Sequence, residues 1–450
     1  MPGSSIYREL LRNSFADLND DFEELKYLIH SSFIHLHQFQ KELKANCKNI
    51  RPDSYQEVTK NIEFIKIKYE KYLSQLHFLH KQGQTNSYSL DLYNKLIRAK
   101  ADFFDLIRIN GGLLSALITS TDWQSPSYQH SLYSAAGRQT GRIIGTINDY
   151  KRDTHLDEVH FEKKFLKEYI DARFKLNLHA YLTNSGMAAF TTILDFLIME
   201  GKIRGKVMMG KNVYFQYKQL LIRSLKEQII EADEMQTDKI RQIITEEKPS
   251  VIFFDSLCNA YSLPLPDLKT IIQFLIKNTG RETYLVIDNT CLSTACQLFK
   301  IAQDKPGKLH LILFESLNKF YQFGLDRVTG GVIVVSGNDA GKIFEYRKHA
   351  GTNITDSSAY SLPIPNRKLL EKRLIRHQRN TSLLAFYLQD YISCKKDSVI
   401  EKIIYPGLPY HPSYYWSKNL FFQGGLLNLQ FKPKWEKTRY FKRFINLVIN

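Results

Sequence analysis

The sequence predicts an α/β protein with a mainly parallel central sheet, carried behind a helical N-terminal extension. Three observations support this. Five short apolar runs, "NLHAYLT", "KVMMG", "VIFFD", "TYLVID" and "LHLILF", lie between Asn177 and Phe314. Segments with helical spacing separate them, among them "SGMAAFTTILDFLIMEG" and "NVYFQYKQLLIRSL". Upstream, the first ~120 residues hold no such runs but long stretches with apolar residues every three or four positions. Apolar runs without alternation suit strands covered on both faces, and strand–helix repetition brings such strands parallel. Ligands of sheets like this bind in the loops beyond the carboxyl ends of the strands.

Three helices are expected in the N-terminal segment. The first runs from Leu18 to about Phe39, with Leu18, Phe22, Leu25, Ile29, Phe33 and Leu36 on one face. The second carries Val58, Ile62, Ile65, Tyr69, Tyr72, Leu76 and Leu79, and Ser54 with Glu57 suggests a capping box at its start. The third spans about Leu90 to Ile109 and is expected to stop at Asn110–Gly112, "NGG". His30, His35 and His37 do not share a helix face, which argues against a metal site there. The expected division is 1–125 helical extension, 126–335 large domain and 336–450 C-terminal domain.

Composition narrows the function. The chain has 450 residues, 43% hydrophobic and 24% charged, as in a soluble globular protein. Its formal charge of +16 raises a polyanionic partner, but no zinc-finger spacing, RNP-like motif or dense basic run accompanies it. Nucleic acid is therefore not expected as a partner. Five cysteines, an odd number without a CxxC pair, fit a reducing compartment. "MPGSSIYREL" has no signal-like apolar core, and no apolar run reaches the roughly 18 residues of a membrane span. The expectation is a cytoplasmic protein with no membrane partner.

Four motifs fall at strand ends. "YLTNSGMAAF" opens a helix right after a strand, so Ser185, Gly186 and Met187 offer free backbone amides to an anion. Tyr214, in "NVYFQY", could lay its ring on a flat ligand, or be an ordinary half-buried tyrosine. Asp288 ends the apolar strand "TYLVID", where a carboxylate needs a partner; a protonated pyridine nitrogen would serve, and so would the next turn. In "ESLNKFYQFGLD", Ser316 precedes Lys319 by three, and a lysine amine can condense with an aldehyde. An anion site, an aromatic plate, an acid and a lysine together are the parts that hold pyridoxal 5'-phosphate (PLP).

These motifs resemble the Cys/Met-metabolism PLP enzymes, the cystathionine γ-synthase, cystathionine γ-lyase and methionine γ-lyase group. "SGMAA" stands at Ser185–Ala189 and "DNT" at Asp288–Thr290, with Gln297 at the family spacing. "ESLNKFYQFGLDRVTGG" resembles the Ser-x-Thr-Lys-Tyr stretch, with Asp326 and Gly330-Gly331 in register. "YKRDTHLDEVHFE" resembles the Tyr-x-Arg segment that leads into Leu-Glu, with Phe161-Glu162 in place.

The resemblance implies fold type I and PLP as cofactor. It implies that Lys319 forms the Schiff base and shuttles protons, that Asp288 pairs with the ring nitrogen and that Tyr214 stacks on the ring. Ser185, Gly186, Met187, Ser316 and Asn318 would hold the phosphate, and Asn259, in "DSLCNAYSLPLPDL", would contact the ring oxygen. Tyr150 and Arg152, on an arm at about 130–165, would reach the neighbouring subunit's phosphate site, making a homodimer or homotetramer with shared active sites.

The chain departs from the pattern at three places. Asn318 replaces a threonine, Gly324 replaces a histidine and "THLD" replaces Asn-Pro-Thr. It ends at "FINLVIN", before the family's Ser-Leu-Gly-Gly segment and carboxylate-binding arginine, so the C-terminal domain reads as shortened.

The expected function is a PLP-dependent transferase or carbon–sulfur lyase of trans-sulfuration. It would replace a group at Cγ, or eliminate at Cβ or Cγ, on cystathionine- or homoserine-type substrates. The alternative is a catalytically degenerate PLP-fold protein that acts through its helical extension.

Overall fold

A computed structural model describes residues 3–45, 47, 51–84, 88–120, 156–172, 178–302, 307–337, 339–395 and 397–449. Three long helices come first: α1 (Gly3–Ala45), α2 (Pro52–Gly83) and α3 (Leu90–Ser120). Phe15, Phe22, Leu25, Ile29 and Leu36 of α1 bury against Ile62, Ile65, Tyr69 and Leu76 of α2 and Leu96, Ile107 and Leu114 of α3. This is the three-and-four spacing read from the sequence. Two expectations need correction. Helix α2 starts before Ser54, with Pro52 in its first turn and no side-chain cap, so Ser54 and Glu57 form no capping box. A proline suits that turn because its missing N–H would have had no helical acceptor. Helix α3 does not stop at Asn110–Gly112. Asn110 bonds back to the Leu106 carbonyl at 2.8 Å, and Gly111 lies so close to Arg327 that a Cβ there would sit 1.6 Å from its guanidinium. The glycine serves a close approach between α3 and the domain behind it.

After α4 (Leu156–Tyr169), strands and helices alternate: β1 (Leu178–Thr183), α5 (Gly186–Met199), β2 (Val207–Gly210), α6 (Phe215–Leu225), β3 (Ile229–Ala232), α7 (Thr237–Glu247), β4 (Val251–Asp255) and α8 (Leu268–Asn278). Then come β5 (Thr283–Asp288), α9 (Leu298–Ala302), β6 (Leu309–Ser316) and β7 (Gly331–Ser336). They build one sheet in the order β1-β7-β6-β5-β4-β2-β3. Strands β6, β5, β4, β2 and β3 are parallel, and β7 runs against both its neighbours. All five apolar runs are strands, buried on both faces. Strands β3 and β7 were not among the runs read. Strand β3 is a short, half-exposed edge interrupted by Glu231.

The rest is α10 (Asp339–His349), α11 (Asp356–Ser361), the long α12 (Arg367–Cys394), a small antiparallel pair β8 (Ile400–Ile404) and β9 (Asn428–Phe431) flanking α13 (Tyr414–Ser417), and α14 (Thr438–Ile449). No helix among the described residues is long and apolar enough to cross a membrane.

Two charged devices hold these parts in place. Arg347 on α10 is 1% exposed. Its Nη1 donates to Glu162 Oε1 of α4 at 2.8 Å and to the Leu182 carbonyl at 3.0 Å, while the Leu182 N–H donates to the same Glu162 oxygen at 2.7 Å. Burial pushes the Glu162 carboxyl up, and the guanidinium pulls it back. The cluster fixes the end of β1 three residues before Ser185. The second device joins the bundle to α12. Lys372 donates to Asp20 and Glu23, each at 2.9 Å, and Arg376 donates to Asp21 at 3.0 Å and Glu24 at 2.6 Å.

Candidate active site

The loops at the carboxyl ends of β1, β2, β4, β5 and β6 enclose a cavity of about 200 Å³. Ser185, Gly186, Met187, Tyr214, Asn259, Asp288, Ser316, Asn318 and Lys319 all line it, together with Asp255, Thr290, Cys291 and Thr329. Nine of the eleven expected residues thus meet in one place. The other two, Tyr150 and Arg152, lie outside the described residues.

One end of the cavity is built for an anion. Helix α5 begins at Gly186, so the amides of Gly186 and Met187 are first-turn donors without helical acceptors. Ser185 caps the helix, its Oγ accepting from Ala188 N at 3.0 Å. Glycine is required at two positions here. A Cβ on Gly186 would stand 2.9 Å from Ser316 Cβ, and one on Gly331 would stand 2.3 Å from the Ser185 carbonyl oxygen. The turn is therefore pressed between the ends of β6 and β7. Asn318 Oδ1 accepts from Gly330 N at 3.1 Å, which leaves the Asn318 amide hydrogens for a ligand.

The other end carries the acid. Asp288 Oδ1 accepts from Thr290 N at 2.9 Å, and Thr290 Oγ1 accepts from Ser316 N at 2.9 Å. Burial raises the Asp288 carboxyl to about 6, against the pull of Thr290 and of the Lys319 charge. A buried acid held that high is a group awaiting a cation. Tyr214 immediately precedes α6, its hydroxyl on Gln216 at 3.0 Å and its ring against Phe215. Lys319 follows β6; its amine makes no hydrogen bond or ion pair among the described residues.

The segment after Lys319 is roofed by the N-terminal bundle and α12. Phe323 lies edge-on to Tyr27 of α1 at 5.9 Å, and Phe320 packs on His377 and Phe422. Gly324, at φ +84, sits under Phe104 and Arg373. A side chain in the place of Gly324 would strain the backbone and meet both neighbours, which is a local reason for the glycine.

Sequence reasoning missed Asp255. It ends β4 and is the register partner of Asp288 across the β4–β5 ladder. The signal was present, because "VIFFD" ends in an acid just as "TYLVID" does. Gln297, read from family spacing, lies away from the cavity: its amide bridges the Tyr169 carbonyl at 3.0 Å and Asp171 N at 2.8 Å.

An anion cradle, an aromatic ring, a half-buried acid and a lysine amine lining one cavity fit the phosphate, ring, ring nitrogen and aldehyde of PLP. Comparison with known proteins agrees. The family model of Cys/Met metabolism PLP-dependent enzymes matches residues 116–449. The chain is 25% identical over 287 residues to a cystathionine beta-lyase of Coxiella burnetii, covering 61% of this chain and 67% of that one. It is 25% identical over 249 residues to a cystathionine gamma-lyase of Rattus norvegicus, covering 53% and 56%. A bifunctional enzyme of Aspergillus flavus is 23% identical over 228 residues, with 50% of this chain but 28% of its own length covered. The chain thus spans between 28% and 67% of these curated relatives. Its fold is that of cystathionine gamma synthase from Xanthomonas oryzae in complex with cystathionine, with a TM-score of 0.51 at 18% identity over 64% of this chain and 68% of that one. That places it among the fold type I enzymes. With its family model covering 116–449 and the cofactor cradle assembled at the strand ends, the chain belongs to the Cys/Met metabolism PLP-dependent enzyme family.

Proposed function

We propose that this chain catalyses replacement at Cγ, or elimination at Cβ or Cγ, on an amino acid of the cystathionine or homoserine type, with Lys319 as the cofactor-bearing residue. The observation that carries this reading is the convergence of Lys319, Asp288, Tyr214 and the start of α5 on one cavity. When bound, PLP supplies an aldehyde that joins to an amine and a protonated ring that accepts the electron pair left on the α-carbon.

The chain's own residues do the rest. The amides of Gly186 and Met187, with the hydroxyls of Ser185 and Ser316 and the Asn318 amide, would bind the phosphate and fix the depth of the ring. Tyr214 would cover one face and exclude water from it. The Asp288 carboxylate would hold the proton on the ring nitrogen, and Asn259 would contact the ring oxygen. The Lys319 amine would take the proton from the substrate's α-carbon, take a second from Cβ where the group departs from Cγ, and pass a proton to the leaving group. Its place just after β6, in the cavity that Asp288 also lines, suits a base that works along one face of the ring. Tyr150 and Arg152 would complete the phosphate site of a second subunit, so the working unit would be at least a dimer.

The test is the visible absorption of the protein loaded with PLP, read before and after addition of L-cystathionine or O-acetyl-L-homoserine. An absorption band that shifts within the mixing time and yields cysteine, homocysteine or an α-keto acid is expected. A band that forms but does not respond to any γ-substituted amino acid would overturn the proposed reaction while leaving the cofactor site intact.

A further inference from the structure

Two aspartates end neighbouring strands in this site, and their surroundings differ. Asp288 faces the cavity and the Lys319 charge. Asp255 is 4% exposed and turned toward α6. Its Oδ2 accepts from Tyr214 N at 2.9 Å, and its Oδ1 lies against the hydroxyl of Tyr217, itself 1% exposed. Tyr214 is the residue on which α6 starts, so this carboxyl fixes both the first turn of α6 and the backbone that carries the Tyr214 ring.

Among the described residues, the titratable groups facing Asp255 are Asp288 on β5, Glu234 beyond β3, Cys258 on the loop after β4 and Tyr217 on α6. None is a cation. The Lys319 charge acts on Asp288, so buried Asp255 and its half-buried neighbour on the adjacent strand cannot both ionise cheaply.

We propose that Asp255 is a positioning residue that keeps its proton while hydrogen-bonded with the Tyr217 hydroxyl and accepting from Tyr214 N, so that Asp288 alone carries the negative charge of the site. This rests on the cofactor reading above. Burial, with Asp288 next, holds the Asp255 carboxyl well above the ordinary carboxylate range, in keeping with that division of labour. A protonated carboxyl and a carboxamide have the same shape and the same donor and acceptor placement. An asparagine at position 255 can hydrogen-bond with the Tyr217 hydroxyl through its amide and still accept from Tyr214 N. The two aspartates should therefore answer the same substitution in opposite ways.

The experiment is a titration of PLP onto wild-type protein, Asp255→Asn, Asp255→Ala and Asp288→Asn, repeated between about pH 5 and 8. Asp255→Asn is expected to weaken binding no more than about threefold and to leave the midpoint of the pH profile in place, whereas Asp255→Ala loses about tenfold or more with its two hydrogen bonds. The proposal is overturned if Asp255→Asn weakens binding as much as Asp255→Ala. It is equally overturned if Asp255→Asn moves the midpoint down by about a pH unit, the mark of a removed neighbouring charge. Should Asp255→Ala fail to fold, the asparagine variant and its midpoint still decide. If wild-type protein binds no PLP, the cofactor reading has failed instead. The same midpoint is then read from the pH dependence of thermal unfolding of the cofactor-free proteins. An unmoved midpoint in Asp255→Asn supports the proposal and a shifted one rejects it.

Discussion

Asp288→Asn is expected to weaken PLP binding roughly tenfold to a hundredfold while making the cofactor-free protein more stable above about pH 6. Both effects follow from one half-buried acid. Its carboxyl stands at about 6, raised from 3.8 by burial. A group whose folded value lies above its unfolded one contributes stability that is present below the unfolded value and lost as pH rises through the folded one. In the cofactor-free protein, ionised Asp288 is therefore a cost above about pH 6. A bound ring with a protonated nitrogen would turn that cost into a charge-assisted hydrogen bond. Asparagine removes the cost and the bond together. Wild-type affinity should fall as pH drops below about 6, where the acid takes up a proton, and the variant's profile should lose that step. Calorimetric unfolding and a cofactor titration on the same preparations measure both halves. A variant that lost affinity without gaining cofactor-free stability would place the charge elsewhere.

Arg347→Met is expected to cost about 3–5 kcal/mol of folding stability at neutral pH, because it strands a buried carboxylate. Arg347 holds Glu162 and the Leu182 carbonyl, and stacks over Phe344 and Tyr181 at 5.0 and 5.4 Å from the ring centres. Methionine keeps much of the packing and removes the charge. Without the guanidinium, the Glu162 carboxyl rises further above its ordinary 4.5. The sign is that of a raised acid: the penalty is absent below the ordinary value and grows as pH rises through the folded one. Urea unfolding at about pH 4.5 and about pH 7.5 should show the smaller deficit at the lower pH. A deficit independent of pH would mean that lost packing dominates. Adding Glu162→Gln to Arg347→Met should restore part of the stability, which a double-mutant cycle reads directly.

How much of this was legible in the sequence depended on the kind of signal. The apolar runs from "NLHAYLT" to "LHLILF" were readable because a strand buried on both faces has no polar alternation to confuse with a helix surface. The bundle helices were readable because their buried residues keep a strict three-and-four spacing. Their limits were not. Helix α3 runs through "NGG" because tertiary contact with Arg327 decides what Gly111 is for, and no local pattern records that contact. The cavity residues could be listed because each sits just past a strand end. Asp255 was passed over because its work is done through α6. The roof that the bundle and α12 form over the Lys319 segment was beyond reach, since Tyr27, Phe104 and Arg373 lie roughly 50 to 300 residues away in sequence from Phe323 and Gly324.

We propose that this cavity holds PLP through Lys319. The most direct measurement is peptide mapping by mass spectrometry after the protein is incubated with PLP and treated with borohydride. A pyridoxyl mass is expected on the peptide containing Lys319, and none on that peptide in Lys319→Ala, whose fold persists by circular dichroism. A label spread over surface lysines with Lys319 unmodified, or an equal label in the Lys319→Ala protein, would contradict it.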